Sequence, residues 1–232
     1  VTGVQTCALP ICKIAWGTKD IAEGPAMTRG EAIRSIETGI EIAEEKIREG
    51  YRLFTIGEMG ISNTTSSACI LGTFNHWNAL EVTGRGTNIS DERLRHKVEV
   101  VQTAMDVNHP DPKDGLDVLS KVGGFEFGCM AGVILGAAAG HGMTIIDGFN
   151  TTASAFIAKA LAPEAVHYLM ASHLSLEQAH KKSLAALGLT EYIDLDFRLG
   201  EAVGAGIQTK MFDLALSVYR ECVTKEEAGV KA

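Results

Sequence analysis

"YRLFTIGEMGISNTTSSACIL", residues 51–71, decides how the chain is read. An apolar run, "YRLFTI", ends in a glycine-rich turn, and the turn feeds a segment of helical composition from about Asn63 to Leu71. Strand, tight turn and helix in that order form the building block of a parallel sheet. Such turns usually collect anions, because backbone N–H groups and the positive helix end point at the ligand. This turn instead carries Glu58, an acidic residue where a phosphate would otherwise sit. "GEMGISNTT" is also neither of the familiar nucleotide loops. GxxxxGK[ST] occurs nowhere in the chain, and "GEMGIS" fails the GxGxxG fingerprint at its third glycine.

The same unit recurs on the C-terminal side. "MTIID" (143–147), "VHYLMAS" (166–172) and "YIDLDF" (192–197) read as strands, each followed by a helical stretch. "SLEQAHKKSLAALG" is one of those stretches, with Ser175 as its N-cap, and a long helix runs from 201 to about 226. On the N-terminal side, Thr28 and Glu31 form a T-x-x-E capping box for a helix over 28–49, with Ile33, Ile36, Ile40, Ala43 and Ile47 as its apolar stripe. Another helix spans about Asp91 to Met105, with Asp91 as N-cap, and two short ones cover 114–122 and 124–140. Four alternations of strand and helix predict an α/β fold, a parallel sheet flanked by helices in a Rossmann-like three-layer arrangement. Ligands of such sheets bind beyond the carboxyl ends of the strands, which places 57–63, 147–150, 172–174 and 198–202 on one rim. The organisation expected is a helical N-terminal segment at 12–50, holding remnants of a small helical domain, and an α/β catalytic domain at 51–232.

Composition bounds the function. A net charge of −8 over 232 residues, with no compact basic patch, disfavours nucleic acid. No apolar run reaches about 18 residues without polar breaks, so no membrane span is expected. The five cysteines have no CxxC spacing within the body of the chain, which disfavours a zinc site and suits a cytoplasmic location. The histidines lack HExxH spacing and no GxSxG elbow occurs, so neither a metal ion nor a nucleophilic serine is expected. Residues 1–11, "VTGVQTCALPI", have no strand or helix period and no signal-peptide character. They match the translated frame of a common sequencing adapter and are read as a non-native artefact.

The rim loops hold the candidate residues. "TGRGTN" (83–88) is a second glycine loop able to take a phosphate or simply to turn the chain, with Arg85 beside it. Lys97 follows in a helix, where a lysine is most often solvated. Asp147 ends a strand, suited to a ribose hydroxyl or to bracing a neighbouring loop. Ser172 and His173 end another, the histidine being more often a polar loop residue than a ligand. Arg198 and Glu201 open the last helix. There a carboxylate is either a partner of the helix dipole or a general base.

Taken together, "GTKDIAEGPAMTR" (17–29), "GEMGISNTT" (57–65), "GRGTN" (84–88), "DVLSKVGGFE" (117–126), "AGVILGAAA" (131–139), "DGFNTTAS" (147–154), "YLMASH" (168–173) and "LDFRLGEAVGA" (195–205) resemble the nicotinate-nucleotide:dimethylbenzimidazole phosphoribosyltransferases of cobalamin biosynthesis. The resemblance implies transfer of phosphoribose from nicotinate mononucleotide to 5,6-dimethylbenzimidazole by a cytoplasmic homodimer, without metal or organic cofactor. It makes Glu201 the catalytic base and Glu58 a supporting carboxylate. Gly60, Gly86 and Lys97 fall around the phosphate and ribose, and Met59 and Leu199 against the aromatic base. Asp147, Ser172 and Arg198 complete the expected substrate-binding set. A non-catalytic nucleotide-binding module on the same loops is the alternative. This chain departs from the family at Ser62, Asn88 and Ala202-Val203, where Gly, Gly and Gly-Thr are more frequent, and "SLEQAH" lacks the frequent Glu-Pro-Gly run. The resemblance also implies a further N-terminal region that helps to form the benzimidazole pocket and is expected to be missing here, so weak or no activity is expected.

Overall fold

The computed structural model describes residues 12–230. The expected artefact at 1–11 lies outside them. The architecture is α/β, as the alternation predicts, with three parallel strands in the order β1 (Leu53–Ile56), β2 (Met143–Ile146), β3 (Leu169–Ala171). Leu53 stands opposite Met143 and Thr144 opposite Leu169.

The anticipated fourth strand is absent among the described residues. "YIDLDF" is reduced to a single parallel bridge between Ile193 and His173. The N–H groups of Tyr192 and Ile193 both go to the Ser172 carbonyl, at 3.0 and 3.2 Å, and Asp196 has φ +52°. That converging pair and that left-handed residue end the ladder after one rung. The start of "VHYLMAS" is corrected too, since Pro163–Tyr168 forms a 3₁₀ turn before β3.

Helix α1 (Arg29–Arg48) begins at Thr28 with the capping box in place, Thr28 Oγ1 accepting the Glu31 N–H and Glu31 accepting the Thr28 N–H. Its buried face is Ala32, Ser35, Ile36, Thr38, Gly39 and Ala43, whereas Ile33 from the expected stripe is exposed. The shift follows from the partner. Helix α1 lies along α6 (Phe125–Ala139) so closely that small residues must face each other. A Cβ on Gly39 would stand 2.0 Å from the Cys129 carbonyl, and one on Gly132 2.0 Å from that of Ile36. The N-terminal helix is thereby built into the α/β body.

Helix α2 (Asn63–Asn75) buries residues 67–73, and the four-residue α3 (Ala79–Val82), unforeseen in the sequence, follows. Helix α4 (Asp91–Asn108) starts one residue earlier in its cap than expected: Ser90 Oγ accepts the Arg93 N–H, and Asp91 is the first helical residue. Helix α5 (Gly115–Val122) is capped by Asp114. Helices α6 and α7 (Phe149–Leu161) pack on each other and on β2. Helix α8 covers only His180–Leu187, not 175–188, because the Ser175 N–H donates to the His180 ring at 2.9 Å and folds the preceding residues into a turn. Helix α9 (Val203–Glu221) touches β1 and β2 yet buries only Gly204, Ala205 and Gln208. No helix among the described residues is long and apolar enough to cross a membrane.

Candidate active site

A cavity of about 1070 Å³ opens beyond the carboxyl ends of β1 and β2. Three of the anticipated rim segments line it, at 58–63, 147–150 and 198–201. It is completed by 85–89, by α4 through Arg93, His96 and Lys97, by Ser175 and Glu177, and by Thr18 to Ile21.

The turn between β1 and α2 is wired through side-chain amides. The Glu58 carboxylate accepts from Asn150 Nδ2 at 2.6 Å on Oε1 and from Asn63 Nδ2 on Oε2. Asn150 also donates to Asn63 Oδ1 at 3.0 Å and accepts from the Ser67 hydroxyl at 2.6 Å. The second Asn63 amide hydrogen reaches Glu126 Oε1 at 3.4 Å. Every N–H of the two amides is used, so Glu58 is held in one orientation. Burial pushes the Glu126 carboxyl above the usual range, and the neighbouring Glu58 charge adds to this.

The facing turn, 198–202, is fixed by backbone bonds. The Glu201 N–H donates to the Glu58 carbonyl at 2.8 Å. Glycine permits the approach: a Cβ on Gly57 would lie 2.0 Å from the Ala202 nitrogen. Glu201 and Ala202 both have left-handed φ, +61° and +60°. Glu201 is exposed toward the cavity it lines. Behind it, Asp147 Oδ1 accepts the Ala205 N–H at 2.9 Å in the first turn of α9, a placement the helix dipole favours. Asp147 is 2% exposed, and burial raises its carboxyl to about 6 against the pull of the α9 N–H groups. His173 Nδ1 lies 3.8 Å from that carboxylate, and burial lowers the imidazole to about 4. Asp147 therefore braces the α9 turn, the second of its two expected roles, while remaining at the cavity wall.

The cationic end is built from α4 and the 83–88 loop. Lys97 is half-buried rather than solvated, its ammonium donating to Thr64 Oγ1 at 2.7 Å and to the Gly84 carbonyl at 3.1 Å. Burial lowers its pKa, which Glu177 opposes. Gly86 has φ +53° and faces Thr64 and Lys97. Arg85, also in the lining, bonds to the Ile89 carbonyl at 2.8 Å and to Asp91. Arg198 lines the cavity without an ion pair among the described residues.

The model of a family described as "Phosphoribosyltransferase" (DBI_PRT) matches residues 2–230. The chain belongs to that family. This DBI_PRT chain is 45% identical over 227 residues to the nicotinate-nucleotide–dimethylbenzimidazole phosphoribosyltransferase of Desulforamulus reducens, covering 98% of itself and 65% of that relative. It is 50% identical over 218 residues to the protein of the same name from Syntrophotalea carbinolica, covering 94% of itself and 62% of the relative. The crystal structure of the Thermus thermophilus protein of that name superposes with a TM-score of 0.87 at 37% identity, over 95% of this chain and 64% of that one. The DBI_PRT chain thus spans less than two thirds of the length of these relatives.

Within this member of the family, the cavity brings together Glu58, Met59, Gly60, Gly86, Lys97, Asp147, Arg198, Leu199 and Glu201 of the expected set. Met59 and Leu199 stand 75% and 59% exposed. Ser172 is the exception. It is fully buried outside the lining, its hydroxyl donating to the Asp147 carbonyl at 2.8 Å. Sequence reasoning passed over Asn63, Asn150, Glu126 and Glu177. An asparagine three residues past the strand-ending aspartate, in "DGFN", was the one readable signal for Asn150. Glu177 was hidden inside a segment read as helix.

Proposed function

We propose that the protein transfers the phosphoribosyl group of nicotinate mononucleotide to 5,6-dimethylbenzimidazole. The products are nicotinate and α-ribazole 5′-phosphate, the nucleotide of the lower ligand of cobalamin. One observation carries the reading. Two glutamate-bearing turns are joined through the Glu201 N–H and the Glu58 carbonyl, and they line a cavity whose other wall holds Lys97 and Gly86. A binder of mononucleotides requires the cationic wall; a second, exposed carboxylate is what a proton transfer adds.

Lys97, Gly86 and Gly60 take the 5′-phosphate and ribose, with Arg198 near the sugar. Met59 and Leu199 lie against the benzimidazole. The unprotonated ring nitrogen of the benzimidazole attacks C1′ from the face opposite nicotinate, inverting the anomeric carbon from β to α. The C1′–nitrogen bond to the pyridinium breaks, its electron pair neutralising the ring, so the leaving group needs no proton. Glu201 takes the proton from the other benzimidazole nitrogen, a general-base contribution of about 100-fold or more. Glu58, pinned by two asparagines, sets the electrostatics of the cationic donor. Asp147 holds the turn that carries Glu201. Under this reading the protein works in the cytoplasm as a homodimer, without metal or organic cofactor.

Incubation with both substrates is expected to yield α-ribazole phosphate and nicotinate in equal amounts by chromatography, slowly, since the chain spans only part of its relatives. Nucleotide binding without either product would leave a non-catalytic binding module.

A further inference from the structure

Two cavity-lining carboxylates among the described residues, Asp147 and Glu177, are buried with an unpaired oxygen, and Glu177 is the one against the 83–88 loop. The residue is 6% exposed, and Oε2 has no hydrogen-bond partner among the described residues. Its backbone is fixed on both sides, the N–H donating to Ser175 Oγ at 3.4 Å and the carbonyl accepting from the His180 N–H at 3.0 Å. The turn of the 83–88 loop closes over it: a Cβ on Gly84 would stand 2.0 Å from Oε2. Burial raises the carboxyl, while Lys97, Arg198 and the Gly86 N–H oppose the rise. Lys97 is committed to Thr64 and Gly84 rather than to this carboxylate.

Oε2 is shut in beneath Gly84, while Oε1, also without a hydrogen bond among the described residues, is the oxygen that a donor in the cavity can reach. A buried carboxylate left unpaired is unfavourable. The ligand's phosphate does not serve, because at neutral pH it is mostly a dianion and repels the carboxylate. A pyridinium ring nitrogen bonded to C1′ has no N–H. Among the nucleotide's groups the sugar hydroxyls remain, the benzimidazole N–H being the one that faces Glu201 in the proposed reaction. Glu177 meets the 83–88 loop at Gly84, and its neighbour Leu176 donates to the Phe197 carbonyl at 3.4 Å, so it lies between the cationic wall and the turn that ends in Glu201. A ribose joining a phosphate at the first to a reacting carbon at the second carries its 2′- and 3′-hydroxyls past this point.

We infer that Glu177 accepts the ribose hydroxyls of the nucleotide and makes the site selective for ribose over deoxyribose. The assignment rests on the phosphoribosyl-transfer reading for the choice of nucleotide. It extends that reading to a specificity-determining residue, because a site built to bond a hydroxyl rejects analogues that lack one.

Titration calorimetry separates the two. Wild-type protein is expected to bind nicotinate mononucleotide at least about 10-fold more tightly than its 2′- or 3′-deoxy analogue, the range for a hydrogen bond to a charged acceptor. Ribose 5-phosphate should show the same preference over 2-deoxyribose 5-phosphate. Glu177→Gln, folded by circular dichroism, should bring each ratio to within about 2-fold, and Glu177→Asp, which keeps the charge, should retain part of it. Selective binding of ribose 5-phosphate without any transfer to the benzimidazole supports Glu177 and sinks the transfer. Transfer with equal acceptance of deoxy analogues, an unchanged ratio in Glu177→Gln, or no binding of any of these probes overturns the assignment.

Discussion

The two turns that face each other across the cavity are built alike and held differently. Each leaves the sheet side, passes through a left-handed residue before its helix (Ser62 at φ +73°, Ala202 at φ +60°) and carries a glutamate. Behind the first, α2 buries residues 67–73 and two asparagines hold Glu58, one on each oxygen. Behind the second, α9 buries three residues and leaves Leu214 and Val218 68% and 62% exposed. Its anchors are the Glu201 N–H to Glu58 and the Asp147 carboxylate to Ala205. The proposed roles rest on this difference. A carboxylate locked by donors shapes the field, and one without side-chain partners can meet a proton.

Three changes act on this contrast, in falling order of effect. Gly57→Ala sets a methyl 2.0 Å from the Ala202 nitrogen, so the turns must part. It is expected to cost about 1–3 kcal/mol in a urea titration and roughly 100-fold in turnover, as a displacement of about 1 Å at a reacting site does.

Asp147→Asn changes the pH dependence of the second turn's anchor. Asp147 has its folded pKa raised, from 3.8 to about 6, so its contribution is full below the unfolded value and lost as pH rises through about 6. His173 and His180 are lowered from 6.5 to about 4 and about 3, so theirs are full above 6.5 and lost as pH falls. Between pH 6 and 4 the aspartate offsets one of the two histidines. The asparagine variant should therefore lose stability on acidification more steeply than wild type, by about 1.4 kcal/mol per pH unit in that window. Parallel curves from urea midpoints at pH 6.5, 5 and 4 would remove Asp147 from the account.

Ala202→Gly is the mildest. A left-handed alanine is strained by roughly 1–2 kcal/mol relative to glycine, partly offset by the backbone freedom glycine adds to the unfolded chain. A rise of about 1 kcal/mol or less is expected, seen as a small increase in thermal midpoint.

The sequence carried much of this through local rules and missed what tertiary contacts decide. The β1–α2 unit, the Thr28 capping box and the placing of Glu58 and Glu201 on one rim were legible from turn chemistry and apolar runs, whereas Lys97, read by itself as solvated, joined them only through the family resemblance. The departures from family glycine at Ser62, Asn88 and Ala202 were visible as well, and the structure gives their common reason: all three are left-handed, at φ +73°, +67° and +60°. "YIDLDF" had strand composition, yet two N–H groups converging on the Ser172 carbonyl stop the ladder. "SLEQAH" had a cap and helical composition, yet the His180 ring takes the Ser175 N–H and starts α8 later. Neither bond joins partners whose pairing a propensity could forecast. Ser172, placed correctly at a strand end, points its hydroxyl at the Asp147 backbone. Strand position fixes where a residue lies, and its neighbours decide which way it faces.

The most direct test is single-turnover transfer by Glu201→Gln beside wild type, with nicotinate mononucleotide affinity measured on the same samples. Loss of a general base should slow α-ribazole phosphate formation by about 100-fold or more while nucleotide affinity stays within about 2-fold. Transfer at the wild-type rate would contradict the assignment of the proton to the exposed turn.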